Sequence, residues 1–469
     1  MKKWQLIQVL MLGLLLTTCT KDNENLNVDL STYNSDTYVP TPVDDWIWDN
    51  ITKPYNTEVV YRFNRNLTDV SKDISPIRSE KVQPIMEAVL EGFIKAYARV
   101  KGEAFIKTYT PKQFVLYGSA SYNTNGSITL GTAEGGRKIV LYELNGIDFD
   151  NPDMSLEGGN TVRRRLRTIH HEFTHILNQI VAIPPDFEQI SKADYEADWT
   201  NNDINPESIS RSLGFISRYA RSVYTEDFAE VTAHLLVQGQ IWYDDYARKS
   251  GVEAYRKLKL KEEMIVDYFK QYFDIDFRKL QEEVQKVFRE KYGDKTQTFE
   301  YWFSKGDYAK SFTHRPGLDY HNTYGVSPDF TAMYQRAVSS LAAIGNAGRV
   351  LDSIRFDFID TENMDMVMSY RNAALSSFYY AAMAYQINID PNTKEVTFTR
   401  LPARGTTTTW TNTNTVGSAL QEINDYLTDN VFTADWLPLE NVPHEQKGNY
   451  AGFYLKDNPD SYFYGRLVF

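Results

Sequence analysis

Residues 161–181 read TVRRRLRTIHHEFTHILNQIV, and the fold is decided there. Val162, Leu166, Ile169, Phe173, Ile176 and Ile180 recur at helical spacing, which predicts an amphipathic helix with one apolar face. That helix carries His171-Glu172-Phe173-Thr174-His175. Two imidazoles at i and i+4 stand one turn apart on a common face, where both can grip one metal ion. Glu172 falls beside them, placed to take a proton from water at the metal. Phe173 and Ile176 point the other way, so the metal face and the core face are separable. Three of the seven histidines fall within residues 170–175. His170 lies about a quarter-turn off the pair and is expected to support it or to serve structure, not to ligate.

Two histidines leave tetrahedral zinc short of a third protein ligand. Downstream, Tyr219-Ala220-Arg221-Ser222-Val223-Tyr224-Thr225-Glu226-Asp227-Phe228-Ala229-Glu230 supplies candidates. Glu226 and Glu230 are one turn apart on an expected helix over residues 225–237, and His234 is one turn further. Periodicity does not choose among the three. His234, beside Leu235 and Leu236, is expected to be structural.

Working outward, residues 58–63 predict a strand. Residues 84–100 predict an amphipathic helix with Pro84 near its first turn. Residues 113–117, 128–130 and 137–143 predict antiparallel strands, with Asn125-Gly126 as a hairpin turn. An extended substrate could pair along 137–143 if that strand is a sheet edge; an interior strand is the alternative. A looser segment follows at 184–208, and charged amphipathic helices are expected over 252–292. Gly293-Asp294-Lys295-Thr296-Gln297 is the candidate boundary. Beyond it, residues 349–359, 377–389 and 394–400 predict strands, the last two joined by Asp390-Pro391-Asn392-Thr393, with one helix at 418–427. The fold class is α+β, with a second, β-rich part after the boundary.

The whole chain has 469 residues, 42% apolar and 24% charged, which excludes a disordered chain and a polytopic membrane protein. Lys plus Arg is 50 against 62 acidic residues, a net charge of −12 with no basic stripe, which argues against nucleic acid as the partner. Cys19 is the single cysteine, so no intramolecular disulfide can form. Lys2 and Lys3 precede an apolar run at 9–16, too short to span a hydrocarbon core of about 30 Å and of the form of a secretory signal. The polar, acidic stretch after Cys19 reads as a flexible tether. Exposed-looking aromatics (Trp46, Trp48, Trp302, Trp410 and Trp436) suggest a rival class, a glycan- or peptide-binding lipoprotein whose zinc site is vestigial or structural. Glu172 weighs against it, because a structural site needs no general base.

Several blocks resemble known families. Leu16-Thr17-Thr18-Cys19 resembles a bacterial lipoprotein box, which implies lipidation of Cys19 and cleavage before it. The acidic patch that follows resembles the surface-export signal of Bacteroidetes lipoproteins, implying an outer-membrane anchor that faces the cell surface, with a periplasmic facing as the alternative. The histidine pair with a glutamate on a later helix is similar to the glutamate-zincins (gluzincins). Tyr219-x-Arg221 followed by Glu226-Asp227-Phe228-Ala229-Glu230 resembles the protease domain of anthrax lethal factor. That resemblance implies Glu226 as third ligand, Tyr219 as the oxyanion helper and Glu230 as a partner that holds a histidine ring. The run Gly214-Phe215-Ile216-Ser217-Arg218-Tyr219-Ala220-Arg221-Ser222 resembles the Bacteroidetes substrate import-associated zinc metallohydrolase lipoproteins. This implies a zincin-like metallopeptidase domain over residues 46–292, after a signal peptide at 1–18 and a tether at 19–45. It also implies a Zn2+ cofactor, a peptide or protein substrate, membrane attachment through Cys19 and a TonB-dependent import complex as partner. Residues 293–469 more weakly resemble a Bacteroidetes lipoprotein domain of unknown function and inherit no activity from it.

If the histidine pair and a glutamate form one site, residues 20–469 dialysed without chelator should carry about one zinc per chain. Elemental analysis measures it, and a ratio near zero that added zinc does not restore would favour the binding-lipoprotein class.

Overall fold

The computed structural model describes residues 39–469 apart from 157–158, 160, 346–347, 375–376 and 438–441. Cys19, the signal segment and most of the tether lie outside the described residues. The chain divides after Asp45, and the architecture below is that of Trp46–Phe469.

The first half is helical around a small sheet. Strand β1 is Glu58–Val60, which begins where the strand is expected and ends three residues early. Helix α1, Ser79–Val89, continues through a π-helical turn, Leu90–Ile94, into Lys95–Lys101. It starts five residues before the expected Pro84, which therefore sits in its second turn and removes one helical hydrogen bond. Strands β2 (Gln113–Leu116), β3 (Ser121–Tyr122), β4 (Ile128–Thr129), β5 (Gly131–Glu134) and β6 (Lys138–Leu141) follow. Helices α2 (Val162–Ile180), α3 (Tyr224–Val237), α4 (Val252–Phe273) and α5 (Phe277–Tyr292) are the long helices that follow, with shorter ones between them.

The sheet order is β1-β2-β6-β5. It departs from the expected antiparallel set, because β1, β2 and β6 run parallel and only β5 is antiparallel to β6. The apolar runs Phe114-Val115-Leu116 and Ile139-Val140-Leu141 are buried on both faces, as parallel strands require. Strand β6 is therefore interior, and of the two edge strands, β1 and β5, it is β5 that lies beside β6. No side chain at Gly131 lets this edge press onto α2, since a Cβ there would lie 2.5 Å from Thr168 Cγ2. At the following turn Gly136 takes φ +67, and a Cβ would lie 2.7 Å from Gln179 Oε1. Thus β5 runs along α2 from Thr168 toward Gln179.

Helix α2 forms where its periodicity puts it. Thr161 Oγ1 accepts from the Arg164 N–H at 3.1 Å and caps the N-terminus. Val162, Leu166, Ile169, Phe173 and Ile176 are buried, each large side chain contributing about 1.5–3 kcal/mol. Ile180, expected on the same stripe, is the last helical residue and is 49% exposed.

After α5 the chain closes a barrel of eight antiparallel strands. These are β7 (Ser311–His314), β8 (Arg349–Phe358), β9 (Asn363–Asn372), β10 (Tyr379–Ile389), β11 (Glu395–Leu401), β12 (Phe432–Trp436), β13 (Tyr450–Leu455) and β14 (Asn458–Val468). Helix α6, Pro328–Ala343, and a short helix, Gln421–Thr428, lie in its connections. Phe312, Phe356, Phe398, Phe453 and Phe463 fill the interior. Trp302 belongs to the same core and Trp436 packs on it, so these two are not the exposed platforms their sequence suggested; Trp48 is exposed. The observed class is α+β, with a C-terminal antiparallel barrel.

The segment between the halves is tied to both. Buried Asp294 pairs with buried Arg163 of α2 at 2.8 Å, and Arg163 also donates to the Val237 carbonyl at 2.6 Å. The Trp436 indole donates to the Gln297 carbonyl at 2.9 Å. Leu156 and Ile241 from the helical half share the barrel's apolar core. Because removing one partner leaves a buried charge uncompensated, Asp294→Ala should cost about 3–5 kcal/mol in chemical denaturation; a loss under about 1 kcal/mol would show water reaching Arg163.

Candidate metal centre

Helices α2 and α3 pack antiparallel: Arg167 meets His234, His171 meets Glu230, and His175 meets Glu226. Phe228, Ala229, Val231, Ala233, Leu235 and Leu236 bury most of α3, leaving little freedom to rotate. Its first turn holds Glu226 and Asp227, favoured there by the helix dipole. Asp227 is wholly buried, pairs with Lys261 of α4 at 2.7 Å and accepts from the Tyr195 hydroxyl at 3.0 Å. These contacts fix the rotation that turns the neighbouring Glu226 toward α2.

Three donor atoms converge. His171 Nε2 lies 3.0 Å from Glu226 Oε2, His175 Nε2 lies 3.1 Å from the same oxygen, and the two Nε2 atoms are 3.1 Å apart. A proton satisfies one such contact at a time, whereas a cation among them satisfies all three. Tetrahedral zinc with bonds near 2.0–2.1 Å places its ligand atoms about 3.3 Å apart, so the triangle fits it within a few tenths of an ångström. Among the described residues this is the one cluster of three such donors.

A family model described as "Putative zinc-binding metallo-peptidase" matches residues 36–278, more than half of the chain. The chain belongs to this family. A crystal structure from Bacteroides caccae, titled as a putative zinc-binding metallo-peptidase, is 29% identical over 54% of this chain and 94% of its own, with a TM-score of 0.45. No curated protein matches.

In this member of the family the cluster is strongly polarised. Burial opposes charge on His171, yet its contacts with Glu226 and Glu230 push the ring up to about 10. Burial likewise opposes the Glu226 and Glu230 carboxylates, but the histidines hold both well below the usual range. Burial raises Glu172 above that range, with His171 and His175 pulling against it. The Tyr219 phenol is pushed up by burial and then by Glu226.

Each residue singled out in the sequence has a definite place. Glu172 lies on α2 next to the donors, and the backbone of Ala133 in β5 reaches its carboxylate. Glu230 Oε1 lies 2.9 Å from His171 Nδ1, behind the ring. The Tyr219 ring stacks on His171 at 5.8 Å and 23°. His170 is outside the cluster: its Nε2 meets the Gly92 carbonyl at 3.2 Å within the π-helical turn, and burial lowers it to about 4. His234 is also outside, its Nδ1 on the Glu230 carbonyl at 2.8 Å and its Nε2 facing Arg167 at 3.2 Å.

Two neighbours escaped the sequence reading. Trp199 packs on Tyr219 at 4.8 Å, and Ser217 donates to Glu230 Oε2 at 2.6 Å. Ser217 stands in a block quoted for its resemblance, but a lone Trp or Ser has no spacing signature. Since Glu226 touches both Nε2 donors and Glu230 only the far nitrogen, Glu226→Ala should weaken zinc binding far more than Glu230→Ala, for which a loss of about 10–100-fold is expected. Competition against a chromophoric chelator ranks them, and the reverse order would make Glu230 the ligand.

Proposed function

We propose that this protein is a gluzincin-type zinc peptidase that cleaves amide bonds in peptides or proteins. The observation that carries the reading is Glu172: a buried carboxyl on the same helix as the histidine pair, beside the donor triangle and the edge strand β5. A purely structural metal site has no use for it. Zinc held by His171, His175 and Glu226 would supply Lewis-acid polarisation and an acidified water. Glu172 takes the proton from the attacking water and returns it to the leaving amine, a role that its raised carboxyl suits. The Tyr219 hydroxyl, kept protonated, donates to the oxygen on which charge develops. The outer side of β5 offers main-chain groups to an extended substrate, which would lay its scissile bond beside Glu172.

The anchoring part of the reading rests on the leader alone. The box ending in Cys19 supports a lipid anchor in the outer membrane, and the acidic stretch after it supports display on the cell surface. The family resemblance supports work beside a TonB-dependent nutrient-import complex. Among the described residues no helix is long and apolar enough to cross a membrane.

Glu172→Gln removes the base and keeps the shape, so zinc content and fold should persist while turnover of a cleaved library peptide falls by about 10²–10⁴-fold. Unchanged turnover in that variant would dismiss the mechanism.

A further inference from the structure

The hydrogen bonds around Glu230 continue past the metal site. One carboxylate oxygen, Oε1, stands 2.9 Å from His171 Nδ1; the other, Oε2, accepts from the Ser217 hydroxyl at 2.6 Å. The Ser217 oxygen in turn accepts from the Ala220 N–H at 3.0 Å. A serine hydroxyl has one proton to give, and here Glu230 takes it, so the orientation of Ser217 is fully specified. The turn that Ser217 closes spans residues 217–220 and holds Tyr219, whose ring lies over His171.

The rest of the loop is anchored independently of Ser217. Gly214 at its start receives Lys261 Nζ on its carbonyl at 2.8 Å. Arg218 grips the Trp199 and Thr200 carbonyls at 3.2 and 2.8 Å. Arg221 grips the Asp194 carbonyl at 2.8 Å and the Asn205 side chain at 3.1 Å. These bonds hold the loop, Arg218 of the turn included, against residues 194–205 and α4, while the Ser217–Glu230 bond ties the turn's first residue to α3.

We propose that Ser217 is a positioning residue: through Glu230 it orients the His171 ring, and through the turn it closes it sets Tyr219 over that ring. One hydroxyl thus registers the oxyanion donor against the metal ligand. The part concerning Tyr219 rests on the peptidase reading; the part concerning His171 concerns metal binding alone.

The test uses the soluble chain, residues 20–469, with zinc and cobalt as probes. Ser217→Ala should weaken zinc binding about tenfold in chelator competition and shift the visible absorption of the cobalt-loaded protein. Ser217→Thr keeps the hydroxyl and should restore both, which separates the bond from mere loss of packing. Adding Ser217→Ala to Glu230→Ala should cost zinc binding almost nothing further, because without the carboxylate Ser217 has no route to His171. With a cleaved peptide, Ser217→Ala should lower kcat and leave KM in place, since Tyr219 acts when charge develops. Wild-type zinc affinity and cobalt spectrum in Ser217→Ala, additive losses in the double variant, or Ser217→Thr as impaired as Ser217→Ala would each overturn the proposal. The zinc and cobalt measurements need no substrate. Failure to cleave any peptide would therefore count against the peptidase reading and leave the Ser217 assignment to be decided by metal binding.

Discussion

Two imidazole nitrogens and a carboxylate oxygen stand within 3.1 Å of one another. Lone pairs at that spacing repel unless positive charge lies among them, and an isolated cluster would relax by rotating its side chains apart. Here it cannot. The apolar stripe of α2 and the nearly all-round burial of α3 hold the helices in one antiparallel register. The buried Asp227–Lys261 pair stops α3 from turning. Packing supplies the force that presses the donors together, and the donors in turn demand a cation. Much of the polar architecture nearby, from Glu230 behind His171 to Arg167 against His234, serves to keep that arrangement from escaping.

The metal helix was legible because two periodic signals coincide in it, an apolar stripe and a polar pair one turn apart, and neither depends on distant residues. The second helix was legible in extent, whereas its rotation was not. Glu226, Glu230 and His234 all recur at one-turn spacing, and the choice among them is made by Lys261 and Tyr195, more than thirty residues away on either side. The strand residues were found near their places, but not their partners. Hydrophobic runs such as Ile139-Val140-Leu141 say that a strand is buried without saying which way its neighbours point, so edge and interior stayed open for β6, which is interior, and β5 beside it is the edge. Gly131 and Gly136 were the available hint, since a strand that must lie flat on a helix sheds side chains there.

The barrel was half legible for a related reason. Its long strands β8, β10 and β11 alternate or turn clearly, while β12 is only five residues long and β13 and β14 carry glycine and tyrosine that blur the period of two. Closure itself is a property of pairing between β9 and β10, and between β14 and β7, which only the folded chain reveals. The segment that leads into the barrel is tied to the helical half through Arg163, a residue of the metal helix two and a half turns before Glu172. The connecting segment therefore meets the very element that presents the ligands half a turn round from Glu172.

Closure of the barrel has a further meaning for how the chain behaves in company. A closed sheet offers no unpaired row of amides and carbonyls, so eight of the fourteen strands among the described residues have nothing to give a stray extended peptide. The open row on β5 is of a different kind, for it lies alongside Glu172. Strand edges in most proteins are guarded with charge or proline against self-association. Under the peptidase reading this one needs no such guard, because whatever chain adds to it is laid where it can be cut, and the contact that seeds aggregation elsewhere is cleared by turnover.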